Sequence, residues 1–385
     1  MTRFLLLAFA LLLWPLFAAA APRIGVMTMQ PGEVFWERFG HNAIVVDDPQ
    51  RGEPISYNFG FFDPTEPDFV RNFVAGRMRY ALVALPLADD LATYRGEGRG
   101  VRIQWLDLAP TQAQAIADAL ERNARPEHAR YRYDYFRDNC STRVRDAIDH
   151  GLGGSLHRQL AASSRGDTYR SEATRLASPA WWMWLGFQLG LGPASDAPLS
   201  LWDESFVPMR LADNLRGVRL TDGRPLVAHE EVLLPHQIAP EPGEPANAWW
   251  PYALAGLALA ALVLTAGKRR PRLLAALTLP FWLLCGLLGA LLLYLWLGTG
   301  HWAAWTNHNL LLLNPLCLLL LPGGWALARG RRPGRVFAWT LAAVALLALA
   351  ALALAWLQVR TQQNTRWIVL LLPLHLALFA ALRRR

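Results

Sequence analysis

Asp138-Asn139-Cys140-Ser141-Thr142-Arg143 is the stretch from which the rest of the chain can be read. It follows the aromatic run Tyr131 to Phe136 and precedes Arg143 to His150, a plausible helix that Gly151 would stop. Asn139 is a good N-cap residue, which places Cys140 in the first helical turn. Free backbone N–H groups and the helix dipole favour negative charge there, so a thiol at that point is biased toward thiolate. Two readings follow: a thiol that only fills space in the core, or a nucleophile.

The chain around it has 385 residues, enough for two or three domains, and carries a net charge of +8. Apolar residues dominate the last third, where the basic residues fall in short clusters between apolar runs. That pattern reads as membrane orientation signals, and no nucleic-acid-binding motif stands against it. Of the three cysteines, Cys285 and Cys317 lie in apolar runs, so no disulfide framework is expected and Cys140 stands unpaired in its region.

Residues 1–21 read as a signal peptide: Arg3, an apolar core from Phe4 to Phe17, then Ala18 to Ala21. An uncleaved anchor would leave the next domain on the same side. Residues 22–240 read as an α+β domain. Short β-rich runs are expected at Ala43–Val46, Ile55–Phe59, Tyr80–Leu85 and Val101–Leu106, and a helix from Thr111 to Ala124. The run Trp181-Trp182-Met183-Trp184 to Gly192 is too short to span a bilayer. Core, a dip into the membrane surface and a wall for an acyl chain are its three readings. Residues 241–248 form a Pro-rich linker. Residues 249–385 then read as five membrane helices at about 249–267, 273–297, 310–328, 336–357 and 367–382. Lys268 to Arg272, Arg329 to Arg335 and Arg383 to Arg385 fall on one side of them, the cytoplasmic side by the positive-inside rule. Trp249, Trp250, Trp296, Trp302, Trp305 and Trp367 lie near the opposite ends.

Cys140 as a nucleophile needs a base. His41, after Gly40 and at the head of a predicted strand, can project toward a helix N-terminus, whereas His128 reads as an exposed loop residue. A helix-start cysteine facing a strand histidine is the arrangement of papain-like catalysis. Asn58 or Tyr57 on the next strand could orient the imidazole, with Asn58 preferred, and the backbone N–H of Cys140 could help hold an oxyanion. No metal-ligand spacing or phosphate-binding loop is present, so neither metal nor cofactor is expected. In the membrane part, His301, Asn307, Asn309 and Asn314 form a polar island. Asn314 sits inside an apolar run where a buried amide requires a partner. The island is a candidate substrate-binding region, together with Asn139 and Tyr57.

Phe39-Gly-His-Asn-Ala-Ile44, Tyr57-Asn-Phe-Gly60, Asp138 to Thr142, Leu189-Gly-Leu-Gly192 with Asp196, Phe206-Val-Pro-Met209 and the polar island resemble the Lnb-type family. The resemblance implies a circularly permuted papain-like (NlpC-type) periplasmic domain joined to a five-helix membrane domain in a bacterial inner membrane. It further implies lipoprotein N-acyltransfer: Cys140 as nucleophile, His41 as base, membrane phospholipid as acyl donor and the α-amine of a lipoprotein as acceptor. Two other readings remain: a cysteine peptidase or amidase acting on peptidoglycan peptides, and an envelope sensor or assembly factor that only binds.

Overall fold

The computed structural model describes residues 21–244, 248–358 and 361–383. The signal-peptide reading, apart from Ala21, and the end of the last basic cluster lie outside these residues. Among the described residues, seven strands form one antiparallel sheet: β1 Arg23–Met29, β2 His41–Asp47, β3 Ile55–Phe61, β4 Arg79–Pro86, β5 Val101–Leu106, β6 Arg130–Arg132 and β7 Val227–Leu234. Their order across the sheet is β6-β4-β3-β2-β1-β5-β7. With helices on both faces the domain is α+β.

The sheet has two distinct faces because strand side chains alternate. Ile24, Val26, Ile44, Val46, Tyr57 and Phe59 point to one core, covered by helices α3 (Pro110–Asn123) and α4 (Cys140–Gly151). Met27, Met29, Ala43, Val45 and Ile103 point to the other, where helix α2 (Leu87–Gly96) supplies Leu87, Leu91 and Tyr94. Strand β1 lies between β2 and β5 and is buried along nearly its whole length. Its pattern carries no solvent-facing alternation, and it follows directly on an apolar stretch of sequence, so sequence reading passes over it.

Among the described residues, five segments are long and apolar enough to cross a membrane. They are α8 Trp250–Arg269, α9 Pro271–Gly298, the stretch Trp302–Ala328, α10 Arg335–Trp356 and α11 Thr365–Leu382. The third is not the continuous helix expected at 310–328. It begins as separate 3₁₀ turns at Trp302–Ala304, His308–Leu311 and Pro315–Leu320 and becomes α-helical only at Leu321. Asn314-Pro315 explains the break, because proline lacks the N–H and disfavours a helical residue before it. The Asn314 side chain repairs it locally: its oxygen accepts from the Leu316 N–H at 2.9 Å and its amide donates to the Leu310 carbonyl at 3.1 Å. Buried His375 of α11 bonds the Leu312 carbonyl at 2.9 Å. Irregular backbone at membrane depth persists only where protein supplies such partners.

A buried polar seam joins the two domains. Two further helices, α5 Tyr169–Ala177 and α6 Trp181–Gly190, bring the periplasmic side to it. Arg170 of α5 is fully buried, pairs with both carboxylate oxygens of Asp196 at 2.7 and 2.9 Å, and donates to the carbonyls of Gln188 and Leu191. From the membrane side Asn307 donates to the carbonyls of Leu189 and Gly190, Asn309 to Leu189, and Gln362 to Leu191. Gly192 closes the seam: its N–H donates to the Ala303 carbonyl at 2.7 Å. The C-terminal half of α6, through Leu185 and Leu189, packs into the membrane-domain core. The Trp run is thus neither all core nor all surface. The expected linker is partly fastened, with Arg175 of α5 holding Glu241 and the Pro242 carbonyl at 2.7 Å each.

A Cβ at Gly192 would lie 2.2 Å from the Trp305 carbonyl oxygen, a backbone atom that cannot swing aside. Gly192→Ala is expected to loosen domain docking by about 1–3 kcal/mol. Limited proteolysis in detergent would register this as faster cleavage between the domains, and wild-type resistance in the variant would refute it.

Candidate functional site

The six residues quoted at the outset fold as the N-terminus of α4. Asn139 is extended (φ −114°, ψ −172°) and caps the helix: its Oδ1 accepts from the Thr142 N–H at 2.9 Å, while Thr142 Oγ1 accepts from the Asn139 N–H at 2.8 Å. Its Nδ2 donates to the carbonyls of Tyr135 and Phe206, both at 2.9 Å. With both amide hydrogens and its oxygen engaged by protein, Asn139 positions Cys140. Asp138 pairs with Arg143, which lies over the Tyr131 ring, and Ser141 Oγ donates to the Ser205 carbonyl at 2.6 Å. Every neighbour of Cys140 in this stretch is spent on holding it.

His41 heads β2 directly after Gly40, whose φ of +72° suits glycine and whose absent Cβ leaves room for the Met29 carbonyl oxygen at 2.8 Å. Gly60 (φ +93°) lies at an irregularity in the β3–β4 pairing, and a Cβ there would sit 3.6 Å from that of Cys140. Irregularities of this kind re-aim strands beside functional sites. The Phe206-Val-Pro-Met209 motif braces both halves: Phe206 takes the Asn139 amide, and Met209 packs against Gly40.

His41 acts on the Cys140 thiol both through its charge and as a hydrogen-bonding partner. Its Nε2 faces Asn58 Oδ1 at 3.1 Å. Asn58 Nδ2 donates to Asp90 Oδ2 at 2.9 Å and to Ser56 Oγ at 3.1 Å, which leaves Oδ1 as a pure acceptor toward the ring. Nε2 therefore carries hydrogen, which leaves Nδ1 as the ring nitrogen free to act on the thiol. Burial pushes the Cys140 thiol up, but the charge and hydrogen bond of His41 and the N–H groups of Asn42 and Ser141 outweigh it and hold the thiol below its ordinary value. Burial pushes His41 down, and the Cys140 charge and hydrogen bond outweigh that too, raising it. The two shifts favour the thiolate–imidazolium form.

Asp90 was not singled out by sequence reading. It is buried on α2 and also accepts from Ser56 Oγ at 2.7 Å. A signal was present: Leu87, Asp90, Leu91 and Tyr94 share one helix face, so an acid sits inside the apolar stripe of α2. Tyr57 lies elsewhere, low in the sheet among Val46, Arg51, Gln114 and Ala117.

The residues of the polar island make their own contacts with protein. Asn307 and Asn309 are buried in the domain seam, Asn314 caps the broken span, and His301 stacks on Tyr135 and bonds the Phe73 carbonyl at 3.1 Å. These amides hold protein rather than face open space. Beside His301, Trp302 does support the site. Its Nε1–H donates to Asp134 Oδ2 at 2.7 Å, and Arg137 lies 3.6 Å over its ring, so the membrane domain underpins the turn that leads into Cys140. Among the described residues, Asp167, Glu172 and Glu244 come close enough to share a metal ion, but Arg175 and Arg210 already bond Glu172.

The charge relation between the pair is testable. In His41→Ala burial would be opposed only by the Asn42 and Ser141 N–H groups, so the pH profile of Cys140 alkylation should move up and the rate at pH 7 fall at least about tenfold. Asp90→Asn should move the profile the same way by less, since Asp90 helps raise His41. Iodoacetamide kinetics followed by peptide mass spectrometry would check both, and an unshifted profile in His41→Ala would break the pairing.

The Lnb N-terminal periplasmic domain matches residues 17–174, and the Lnb transmembrane domain matches residues 245–384. Neither a curated protein nor a solved structure matches the chain.

Proposed function

The chain belongs to the Lnb family, and from that premise we propose that it is a membrane-anchored thiol acyltransferase of the bacterial inner membrane. The observation that carries the reading is the Cys140–His41 pair, polarised toward thiolate in a periplasmic domain docked on five membrane spans. The N-terminal half is periplasmic by family, and it meets the membrane domain through residues 300–309 and 362–364. The clusters Lys268 to Arg272 and Arg329 to Arg335 and the end of α11 lie at the other ends of the spans. By the positive-inside rule we assign that side, with the C-terminus, to the cytoplasm.

In the reaction, the Cys140 thiolate attacks an ester carbonyl of a membrane phospholipid. The carbon–oxygen bond breaks, the imidazolium of His41 gives its proton to the leaving lysophospholipid oxygen, and an acyl thioester remains on Cys140. The free α-amine of a lipoprotein N-terminal cysteine then attacks the thioester. His41 takes the amine proton, the carbon–sulfur bond breaks, and an amide and a free thiolate result. Asn58 holds the ring in the tautomer that leaves Nδ1 free to act on the thiol, and Asp90 holds Asn58, as a third group does in papain-like sites. A histidine on a strand ahead of a helix-start cysteine supports the circularly permuted papain-like reading. The backbone N–H groups gathered at sulfur, from Asn42 and Ser141, support charge stabilisation at the reacting centre. Two substrates confined to the same leaflet gain effective concentration from a tethered thiol.

Expression in a strain lacking its lipoprotein N-acyltransferase tests this. Wild type should yield lipoprotein N-termini with an amide-linked acyl chain, and Cys140→Ser and His41→Ala should yield none above background by mass spectrometry. No acyl group with wild type overturns the acceptor, and acylation by Cys140→Ser overturns the mechanism. Asn58→Ala should retain binding and lose rate, by about 10²- to 10⁴-fold in single-turnover acylation.

A further inference from the structure

Three segments near the pair bear exposed apolar side chains. Phe35 and Trp36 precede His41 in the β1–β2 connection, and Trp36 is 53 % exposed. The β3–β4 connection, which begins just past Gly60, contains the short helix α1 (Phe69–Val74), whose Val70 is 69 % exposed beside exposed Phe73. Trp181 and Trp182 open α6, and Trp181 is 74 % exposed.

These groups form one file. Trp182 meets Phe35 (ring centroids 6.4 Å), Phe35 meets Trp36 (4.8 Å) and Trp36 meets Phe62 (6.2 Å). Phe62 stacks on Phe69 (5.6 Å), Phe69 on Phe73 (6.4 Å), and Phe73 meets Tyr135 (6.3 Å), which stacks on His301 (6.2 Å). Both ends rest on the membrane domain. At one, Gly300 N–H donates to the Ala75 carbonyl at 2.8 Å; at the other, α6 runs into the membrane core through Leu185 and Leu189.

The height of the file follows from α9. Its 28 residues span about 42 Å at 1.5 Å per residue. The hydrocarbon layer is about 30 Å thick, and about 40–45 Å with headgroups. With its first residue beside the basic cluster in one headgroup layer, Gly298 reaches the other, and Gly300 and Ala75 lie at the same level. Tryptophan and phenylalanine partition favourably into that layer. Two ion pairs lie along the stretch, Arg71 with Asp68 at 2.9 Å and Arg130 with Glu66 at 2.6 Å.

We propose that this aromatic file is a second membrane-contact surface, bedded among the acyl chains at the headgroup boundary of the periplasmic leaflet. Its contribution to catalysis rests on the acyltransferase reading, whereas the contact itself is open to test without turnover. The spans anchor the protein, and the file fixes how the loops around Cys140 and His41 meet the lipid.

The test uses the full chain in nanodiscs of phosphatidylethanolamine and phosphatidylglycerol, with a benzophenone amino acid at position 36, 70 or 182. Irradiation should give lipid adducts at all three, about tenfold above the same probe at position 232. Val232 is also exposed but lies on β7, at the sheet edge far from the file. Adducts no more abundant than at 232, or adducts to a second protein chain instead, would overturn the proposal. A probe-free measurement covers the case of a misfolded variant. Lipids brominated near the headgroup should quench wild-type tryptophan fluorescence more than that of Trp36→Phe/Trp182→Phe, and equal quenching counts against the contact. Lipid adducts without acyl transfer would sink the functional reading alone. Acyl transfer without adducts would sink the contact alone.

Discussion

The polar seam between the domains is the constraint on which the rest of this structure depends. Arg170 and Asp196 are a fully buried ion pair, which is costly to form unless every remaining donor finds a partner. Here the partners are carbonyls at the end of α6 and the loop after it, so the charge holds that loop in one shape. The shape then presents the Leu189, Gly190 and Leu191 carbonyls to Asn307, Asn309 and Gln362. A seam built this way permits little sliding, because each displacement strands a buried polar group. The thiol is thereby held at one height and one orientation over the membrane.

From that platform the site is assembled by a line of hydrogen bonds across the sheet. Asp90 holds Asn58, Asn58 holds His41, and His41 meets Cys140 at the end of the strand. The line runs between an acid on α2 and a thiol on α4, helices that cover opposite faces of the sheet. His41, at the strand terminus, reaches both, which gives physical meaning to the glycine before it. Trp302 ties the same site to the membrane domain through Asp134, so thiol and lipid boundary share one rigid support.

The membrane part follows the same logic of satisfied polar groups. The third span breaks at Asn314-Pro315, and the break survives because Asn314 and His375 bond the freed backbone. The irregular first half leads out into the turns that carry Trp302, Asn307 and Asn309. Polar residues in this region serve docking, and the surface offered to lipid near the thiol comes from aromatic loops of the periplasmic domain.

Properties that depend on neighbours along the chain were legible in the sequence. Hydropathy marked five spans, the basic clusters marked their common side, and Asn139 marked the start of the Cys140 helix, because length, charge and capping are local. His41 and Asn58 were also accessible, since a glycine-preceded strand head and its adjacent strand lie close in sequence. Strand β1 was hidden because burial on both faces removes the alternation that identifies a strand. Asp90 and the work of the polar island were hidden for a different reason. Whether a buried carboxylate steadies an asparagine, or an amide grips a carbonyl instead of a ligand, depends on contacts between residues 32 to about 120 positions apart. Those contacts exist only once the chain has packed, so sequence determined which chemistry was present and tertiary structure decided which groups meet.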